Sequence, residues 1–126
     1  MRVASLLDAS AILAFLWAEP GSDQVAQAFA RGTVGCTVAN WSEVVAKVVA
    51  RRRDWSLAES ALIGKGLGIV PIETVDAVEA GRMWATHPAL SLGDRLCLSV
   101  GQRLGATILT ADRQWRDLSP LVVLIR

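Results

Sequence analysis

The segment that most constrains the fold is Thr107–Asp112, a short apolar and β-branched run that ends in a carboxylate. Its length and composition are typical of a buried strand. The segment Val3–Asp8 has the same form, with Asp8 directly after an apolar run. Two buried strands that each end in an aspartate indicate one acidic site at the carboxyl edge of a parallel sheet, where such sheets bind ligands.

Helix-like and strand-like segments alternate along the rest of the chain, which predicts an α/β fold with a parallel sheet and right-handed crossovers. Pro71 marks the third strand as an edge, and Ser56–Glu59 reads as a capping box that opens a helix. Ser22 or Asp23 is the predicted cap of the second helix. Predicted strands cover residues 3–7, 34–38, 69–72, 107–110 and 121–125, and predicted helices cover 8–17, 22–30, 40–53, 56–65, 74–86 and 91–104.

Size and composition limit the classes of protein to consider. The 126 residues fit a single domain over 1–126, and a hydrophobic fraction of 52% excludes a disordered chain. The formal net charge of +1 provides no global attraction to nucleic acid, so any such binding needs a local patch. Two cysteines outside any CxxC motif and one histidine argue against a structural zinc site.

The amino-terminal region resembles a signal peptide only superficially. Asp8 interrupts its apolar run, and Glu19-Pro20 stands where a small-residue cleavage site would be needed. The sequence has no apolar run of about 20 residues, so we expect no membrane span. These features predict a cytoplasmic protein.

Four acidic residues occupy positions that a parallel sheet would bring to one edge. Asp8 and Asp112 follow predicted strands, and Glu43 lies in the first turns of a helix that follows another strand. Asp94 begins a further helix and joins the others only if that helix starts at the same edge. Closely spaced carboxylates stay ionised together only if a cation neutralises them.

The donor types at this edge indicate which cation would suit it. Oxygen ligands without cysteine or histidine favour a hard ion such as Mg²⁺ or Mn²⁺. Such an ion keeps several water molecules, and one of them can be activated to attack a phosphodiester. The acidic set is therefore suited to metal-dependent phosphodiester hydrolysis.

Each of these acids also has a purely local interpretation. Asp8 could cap the following helix, and Asp112 could form an Asx-turn. Asp94 could complete a Ser-x-x-Asp capping box, and Glu43 could pair with Lys47 one helical turn later. A shared site is favoured because the local interpretation has to hold four times at the same edge.

The order and spacing of the acids and their neighbours resemble the PIN domain family, and within it the short bacterial VapC-type toxins of toxin–antitoxin pairs. The resemblance covers essentially the whole chain and implies a three-layer α/β/α domain with strand order 3-2-1-4-5. The matching segments are Leu6–Ser10, Asn40–Val44, Leu90–Asp94 and Leu109–Arg113.

This resemblance implies a Mg²⁺- or Mn²⁺-dependent endoribonuclease that acts as a toxin. It implies RNA as substrate and a cognate antitoxin as partner, and exposed apolar surface on the first helix would suit a homodimer or an antitoxin segment. The implied catalytic metal ligands, direct or through water, are Asp8, Glu43, Asp94 and Asp112. The implied hydrogen-bonding partners of those carboxylates or their waters are Ser10, Asn40 and Thr110.

Several basic residues are candidates for contact with the RNA backbone. Arg113 and Arg116 follow the last of the four acids, and Arg95 stands where the family commonly has a small residue. Arg51–Arg53 is the only dense basic run and is otherwise typical of a solvated helix end. Asp117 is set aside as a surface or capping acid because it lies five residues beyond Asp112.

Two other functions are compatible with the residues alone. A receiver-like phosphoacceptor domain also places aspartates around Mg²⁺, but it usually has an acidic pair near its first strand and a late lysine. Here Asp8 stands alone, and Lys47 and Lys65 lie mid-chain. A catalytically silent interaction module of the same fold is the other alternative, although such a module has no need to hold four like charges at one edge.

Overall fold

The computed structural model describes residues 2–126, which form one five-stranded, all-parallel sheet with strand order β3-β2-β1-β4-β5. The predicted sheet and its order are confirmed. The strands are β1 (Ser5–Leu7), β2 (Val34–Thr37), β3 (Gly68–Val70), β4 (Thr107–Thr110) and β5 (Val122–Leu124). The helices are α1 (Ala9–Leu16), α2 (Ser22–Arg31), α3 (Val38–Ala50), α4 (Trp55–Lys65), α5 (Thr74–Met83) and α6 (Leu92–Leu104), with a 3-10 turn over Arg113–Trp115.

The strand order removes the receiver-like alternative, because receiver domains share the 2-1-3-4-5 order of flavodoxin-like folds. β1 is central and pairs with both β2 and β4. β3 is an edge strand that stops at Val70, directly before Pro71, as the proline predicted. The observed strands are one or two residues shorter than the predicted runs, and β3 begins one residue earlier, whereas β4 matches its prediction.

Two predicted helix caps are wrong, and α3 spans Val38–Ala50 instead of the predicted 40–53. Helix α4 begins at Trp55, and its cap is Asp54, whose carboxylate accepts hydrogen bonds from the backbone amides of Ser56 and Leu57. The Ser56–Glu59 segment therefore lies inside the helix and does not open it. Helix α2 begins at Ser22 after a left-handed Gly21, so neither Ser22 nor Asp23 is its cap. The fifth helix also ends early, at Met83 instead of residue 86.

The core lies on both faces of the sheet. Successive strand side chains point to opposite faces, and in β1 the buried Leu7 joins a cluster with α1–α4, whereas Leu6 joins one with α6 and β4. Helix α5 packs on α6, and the two are joined by an ion pair in which the Arg103 guanidinium contacts both oxygens of the buried Asp76 at 2.7 and 2.8 Å. No helix within residues 2–126 has both the length and the apolar character needed to cross a membrane.

Candidate active site

Asp8 is the most buried of the four acids, with only 3% of its surface exposed at the end of β1. Its Oδ1 accepts hydrogen bonds from Ser10 Oγ at 2.7 Å and from the Ala11 amide at 2.8 Å, and its Oδ2 accepts one from Thr110 Oγ1 at 2.5 Å. The bond from Ala11 makes Asp8 the cap of α1. An ionised carboxylate has about four acceptor directions, so one remains for a further ligand.

The environment of Asp8 favours the protonated form of its side chain. Burial raises the pKa of Asp8 to about 6, against the opposing effect of its three hydrogen bonds, and the nearby charge of Asp94 raises it further. Desolvation of a carboxylate without a counter-ion has this effect in general. Near neutral pH the ionised Asp8 is therefore under electrostatic strain that a bound cation would relieve.

Two hydroxyl groups tie the end of β1 to the end of β4. Thr110 Oγ1, which donates to Asp8, accepts a hydrogen bond from the Asp112 amide at 3.0 Å. Ser10 Oγ likewise accepts one from the Ala111 amide at 2.9 Å. Asp112 Oδ1 accepts from the amide of Gln114, so its carboxylate is oriented by the turn that follows β4. These bonds hold two of the acids in register across adjacent strands.

Glu43 is positioned by the first turn of α3. Thr37 caps this helix through the amide of Asn40, and Asn40 Nδ2 donates to Glu43 Oε1 at 2.7 Å. The described residues contain no ion pair between Glu43 and Lys47, which was its local alternative. The Asn40 side chain is buried, and its Oδ1 has no hydrogen-bond partner within residues 2–126. A buried acceptor without a donor is unfavourable and marks this corner as suited to a water molecule or a metal ligand.

Helix α6 brings Asp94 to the same edge. The helix ends at Leu104 and β4 begins at Thr107, so α6 runs antiparallel to the strands and starts where the strands end. Ser91 caps it by accepting from the Asp94 amide at 3.1 Å. Burial raises the pKa of Asp94, and the charge of Asp112 adds to that increase. The direction of α6, which the sequence left open, therefore favours inclusion of Asp94 in the acidic set.

Gly93 leaves room for the carboxylate of Glu43 at the start of α6. A Cβ atom at position 93 would collide with the Glu43 carboxylate. The residue lies within one of the matching segments, but sequence reasoning assigned it no role. In the sequence, the only indication of this role is that Gly93 directly precedes an acid at the start of a predicted helix.

Cys97 is a buried thiol in α6 that lies within the electrostatic range of three of the acids. Burial raises its pKa well above the usual value, and smaller contributions in the same direction come from Asp8, Asp94 and Glu43. None of the four acids forms an ion pair with a basic side chain in the part of the chain that the structure describes. Across residues 2–126, no group of three acidic, histidine or cysteine side chains is already arranged to hold a metal ion. The oxygen donors, the missing counter-charge and the free Asn40 Oδ1 nevertheless fit a hard divalent cation.

The candidate RNA contacts differ in their surroundings. Arg113 and Arg116 are exposed beside the turn that carries Asp112. Arg95 is half-buried, and its guanidinium donates to the carbonyl oxygens of Ala80 at 2.9 Å and Leu90 at 3.4 Å. In this structure Arg95 links α6 to the end of α5. Asp117, which was set aside, is exposed.

A family model described as the PIN domain matches residues 5–120. The chain belongs to the PIN domain family. No curated protein matches this sequence. For this PIN domain the informative comparisons are with solved structures.

Several solved structures share the fold over almost their full length. A toxin–antitoxin complex from Klebsiella pneumoniae aligns with a TM-score of 0.78 at 15% identity, covering 98% of each chain. VapBC2 from Rickettsia felis, bound to a promoter DNA fragment, aligns at 0.73 and 13% identity, covering 97% of each chain. Mycobacterium tuberculosis VapC20, a sarcin–ricin loop cleaving toxin, aligns at 0.71 and 13% identity over 92% of this chain and 95% of its own. At these identities the likeness shows a shared PIN fold.

Proposed function

We propose that this PIN domain is a Mg²⁺- or Mn²⁺-dependent endoribonuclease that acts as the toxin of a toxin–antitoxin pair. The observation that supports the proposal is that four carboxylates lie on elements that begin or end at one sheet edge, and that none of them has a basic partner among the described residues. Two of them, Asp8 and Asp94, have raised pKa values because they are desolvated and lie near other acids. Keeping neighbouring carboxylates ionised destabilises the metal-free protein. A cation bound among them would remove that cost.

Each side chain has a distinct part in the proposed mechanism. Asp8, Asp94 and Asp112 would hold the ion directly or through water, and the ion would supply Lewis acidity and a more acidic bound water. The hydroxyls of Ser10 and Thr110 orient Asp8 and fix its unused acceptor direction. The donors that hold these acids come from rigid elements, which keeps the site preorganised.

Glu43 completes the proposed acidic set. The amide of Asn40 holds its Oε1, which leaves Oε2 to face the other acids or a water. Asn40 Oδ1 is available to orient that water, because it has no other partner within the described residues.

The proposed substrate and partner rest on chemistry and on the solved relatives. Arg113 and Arg116 are exposed beside Asp112 and are suited to contact RNA phosphates, whereas the same role for Arg95 would require release of its carbonyl contacts. The relatives include toxin–antitoxin complexes and a toxin that cleaves the sarcin–ricin loop, which supports RNA as substrate and a cognate antitoxin as partner. We further propose a homodimer that acts in the cytoplasm.

The test is cleavage of RNA by the purified protein without antitoxin. The wild type, Asp94→Asn and the control Asp117→Asn are compared with Mn²⁺, with Mg²⁺ and with chelator. We expect the wild type and Asp117→Asn to cut only with metal and Asp94→Asn to lose cleavage while it remains folded. Wild-type cleavage by Asp94→Asn, or cleavage that survives the chelator, would contradict the site.

A direct titration with Mn²⁺ separates a wrong substrate from a wrong site. Metal binding that Asp94→Asn weakens, without cleavage, would mean that the RNA offered was not the target. If the wild type binds no Mn²⁺, the catalytically silent interaction module becomes the better account of this PIN domain.

A further inference from the structure

A groove between α1 and α3 opens beside the acidic site. It is lined by Ser10, Leu13, Trp17, Lys47, Arg51 and Arg126. Ser10 belongs to both features, because its hydroxyl bonds Asp8 on one side and its side chain lines the groove on the other. The groove therefore adjoins the acidic site at Ser10.

Along α3 and its C-cap, an acid of the site is followed by the two cations that line the groove. Glu43, Lys47 and Arg51 are spaced four residues apart, so their side chains share one helix face, with a rise of about 6 Å between neighbours. Glu43 is hydrogen-bonded to the amide of Asn40, so Lys47 is not neutralised by it. Cations therefore begin one helical turn beyond the last acid.

Arg51 is held in a defined orientation. Its guanidinium carbon lies 4.0 Å from the ring centroid of Trp17, which is a cation–π contact. This contact leaves guanidinium N–H groups of Arg51 able to donate, and such groups match the geometry of phosphate. The stacked Arg51 also covers one face of Trp17, so that face is closed to a nucleic acid base.

The remaining charges of the groove largely cancel. Glu19 also lines it, and Arg126 Nη1 lies 3.8 Å from Glu19 Oε1 while donating to the carbonyl oxygen of Pro20 at 2.9 Å. Lys47 and Arg51 are exposed and form no ion pair with any acid that the structure describes. With a net charge of only +1 for the whole protein, this local pair is suited to attract an anionic strand.

We propose that Lys47 and Arg51 bind phosphates of the RNA strand next to the bond that is cleaved. The inference rests on the proposed function, because it assumes that the scissile phosphate lies at the four acids. The acids alone would repel the strand, and cations on the same helix face, one and two turns away, offset that repulsion and set the direction in which the strand leaves the site. The two residues would be positioning residues for the substrate and take no part in the chemical step.

The test measures binding in the absence of cleavage. Fluorescence anisotropy is recorded for a short, labelled single-stranded RNA of mixed sequence, with chelator present and over a series of salt concentrations. We expect K47Q/R51Q to bind the RNA about tenfold more weakly than the wild type at low salt. The slope of log Kd against the logarithm of the salt concentration should decrease by roughly 0.7 for each phosphate contact that is lost. The single variant K47Q, which retains the Arg51–Trp17 contact, should show about half of the slope change.

R31Q/K65Q is the matched control, because it removes the same charge from two exposed residues. Arg31 ends the helix before β2 and Lys65 ends the helix before β3, so both lie near the opposite edge of the sheet. The control should bind RNA like the wild type, and thermal melting of all variants checks that they fold. An equal loss in the control, unchanged binding by a folded K47Q/R51Q, or no RNA binding by the wild type would overturn the proposal.

Two further measurements distinguish RNA binding from peptide binding in the groove and RNA binding from cleavage. If K47Q/R51Q loses binding of a polyglutamate peptide while RNA binding is unchanged, the groove is a site for an acidic protein segment and the RNA proposal is wrong. Cleavage with Mn²⁺ is measured separately on the wild type. Groove-dependent RNA binding by a protein that neither binds Mn²⁺ nor cleaves RNA supports the groove and counts against the proposed nuclease, so the two failures are distinguishable.

Discussion

Replacing Asp8 by asparagine should make the metal-free protein more stable while it removes an acid of the site. The pKa of Asp8 rises from 3.8 to about 6. Each pKa unit corresponds to about 1.36 kcal/mol, so the ionised side chain destabilises the folded state by about 3 kcal/mol. An asparagine that keeps its oxygen toward Ser10 and Ala11 turns its NH₂ toward Thr110. That hydroxyl must then accept instead of donate, which costs about 1 kcal/mol.

The net gain for Asp8→Asn is therefore about 2 kcal/mol at pH 7.5, or a rise in melting temperature of about 8 °C for a domain of this size. The sign depends on pH. An acid with a raised pKa in the folded state destabilises it fully above pH 6 and not at all below pH 3.8. At low pH the asparagine variant keeps only its hydrogen-bond cost, so the two stability curves should cross at about pH 4.5.

The assay is urea unfolding with chelator between pH 4 and pH 8, for the wild type, Asp8→Asn and the control Asp117→Asn. The control removes the same charge from an exposed position and should stay within about 0.5 kcal/mol of the wild type throughout. A variant that is less stable than the wild type at pH 7.5, or a difference that does not change with pH, would refute the view of Asp8 as a strained, buried charge.

Two other predictions follow from contacts of α6. Gly93→Ala should leave the free energy of unfolding nearly unchanged, because only the flexible end of Glu43 has to move, but it should slow RNA cleavage. Gly101→Ala on the same helix should destabilise the protein by about 1–3 kcal/mol, because the new methyl group meets a buried side chain of β4. Equal effects of the two alanines on cleavage per folded molecule would contradict this. Arg103→Met leaves the buried carboxylate of Asp76 without its partner. The free energy of unfolding in urea should fall by about 3 kcal/mol, and RNA cleavage should be unaffected. A decrease below about 1 kcal/mol would mean that the ion pair contributes little to stability.

Features with a strong local signal were predictable from the sequence. The apolar runs before Asp8 and Asp112 identified the two central strands, and Pro71 identified the edge strand. The order of the sheet came from the resemblance to PIN domains, since local patterns do not determine which strands pair. Strand ends were less predictable, because apolar residues such as Val3 continue the pattern beyond the last ladder hydrogen bond.

Features that depend on distant contacts could not be predicted. Asp54 and Ser56 are both good helix caps, and the path of the chain before α4 decides between them. The contact of Gly93 with Glu43 joins two helices. The ion pair of Asp76 with Arg103 spans 27 residues. Such contacts become visible only when the helices are packed, because they depend on which helix faces meet.

The capping role of Asp8 has a consequence for how this protein would change under mutational drift. Asparagine caps a helix about as well as aspartate, so an Asp-to-Asn change at position 8 would preserve α1 and also relieve the charge strain. Loss of activity and gain of stability would then occur in a single step. In a gene copy freed from selection for the proposed activity, we expect this step early.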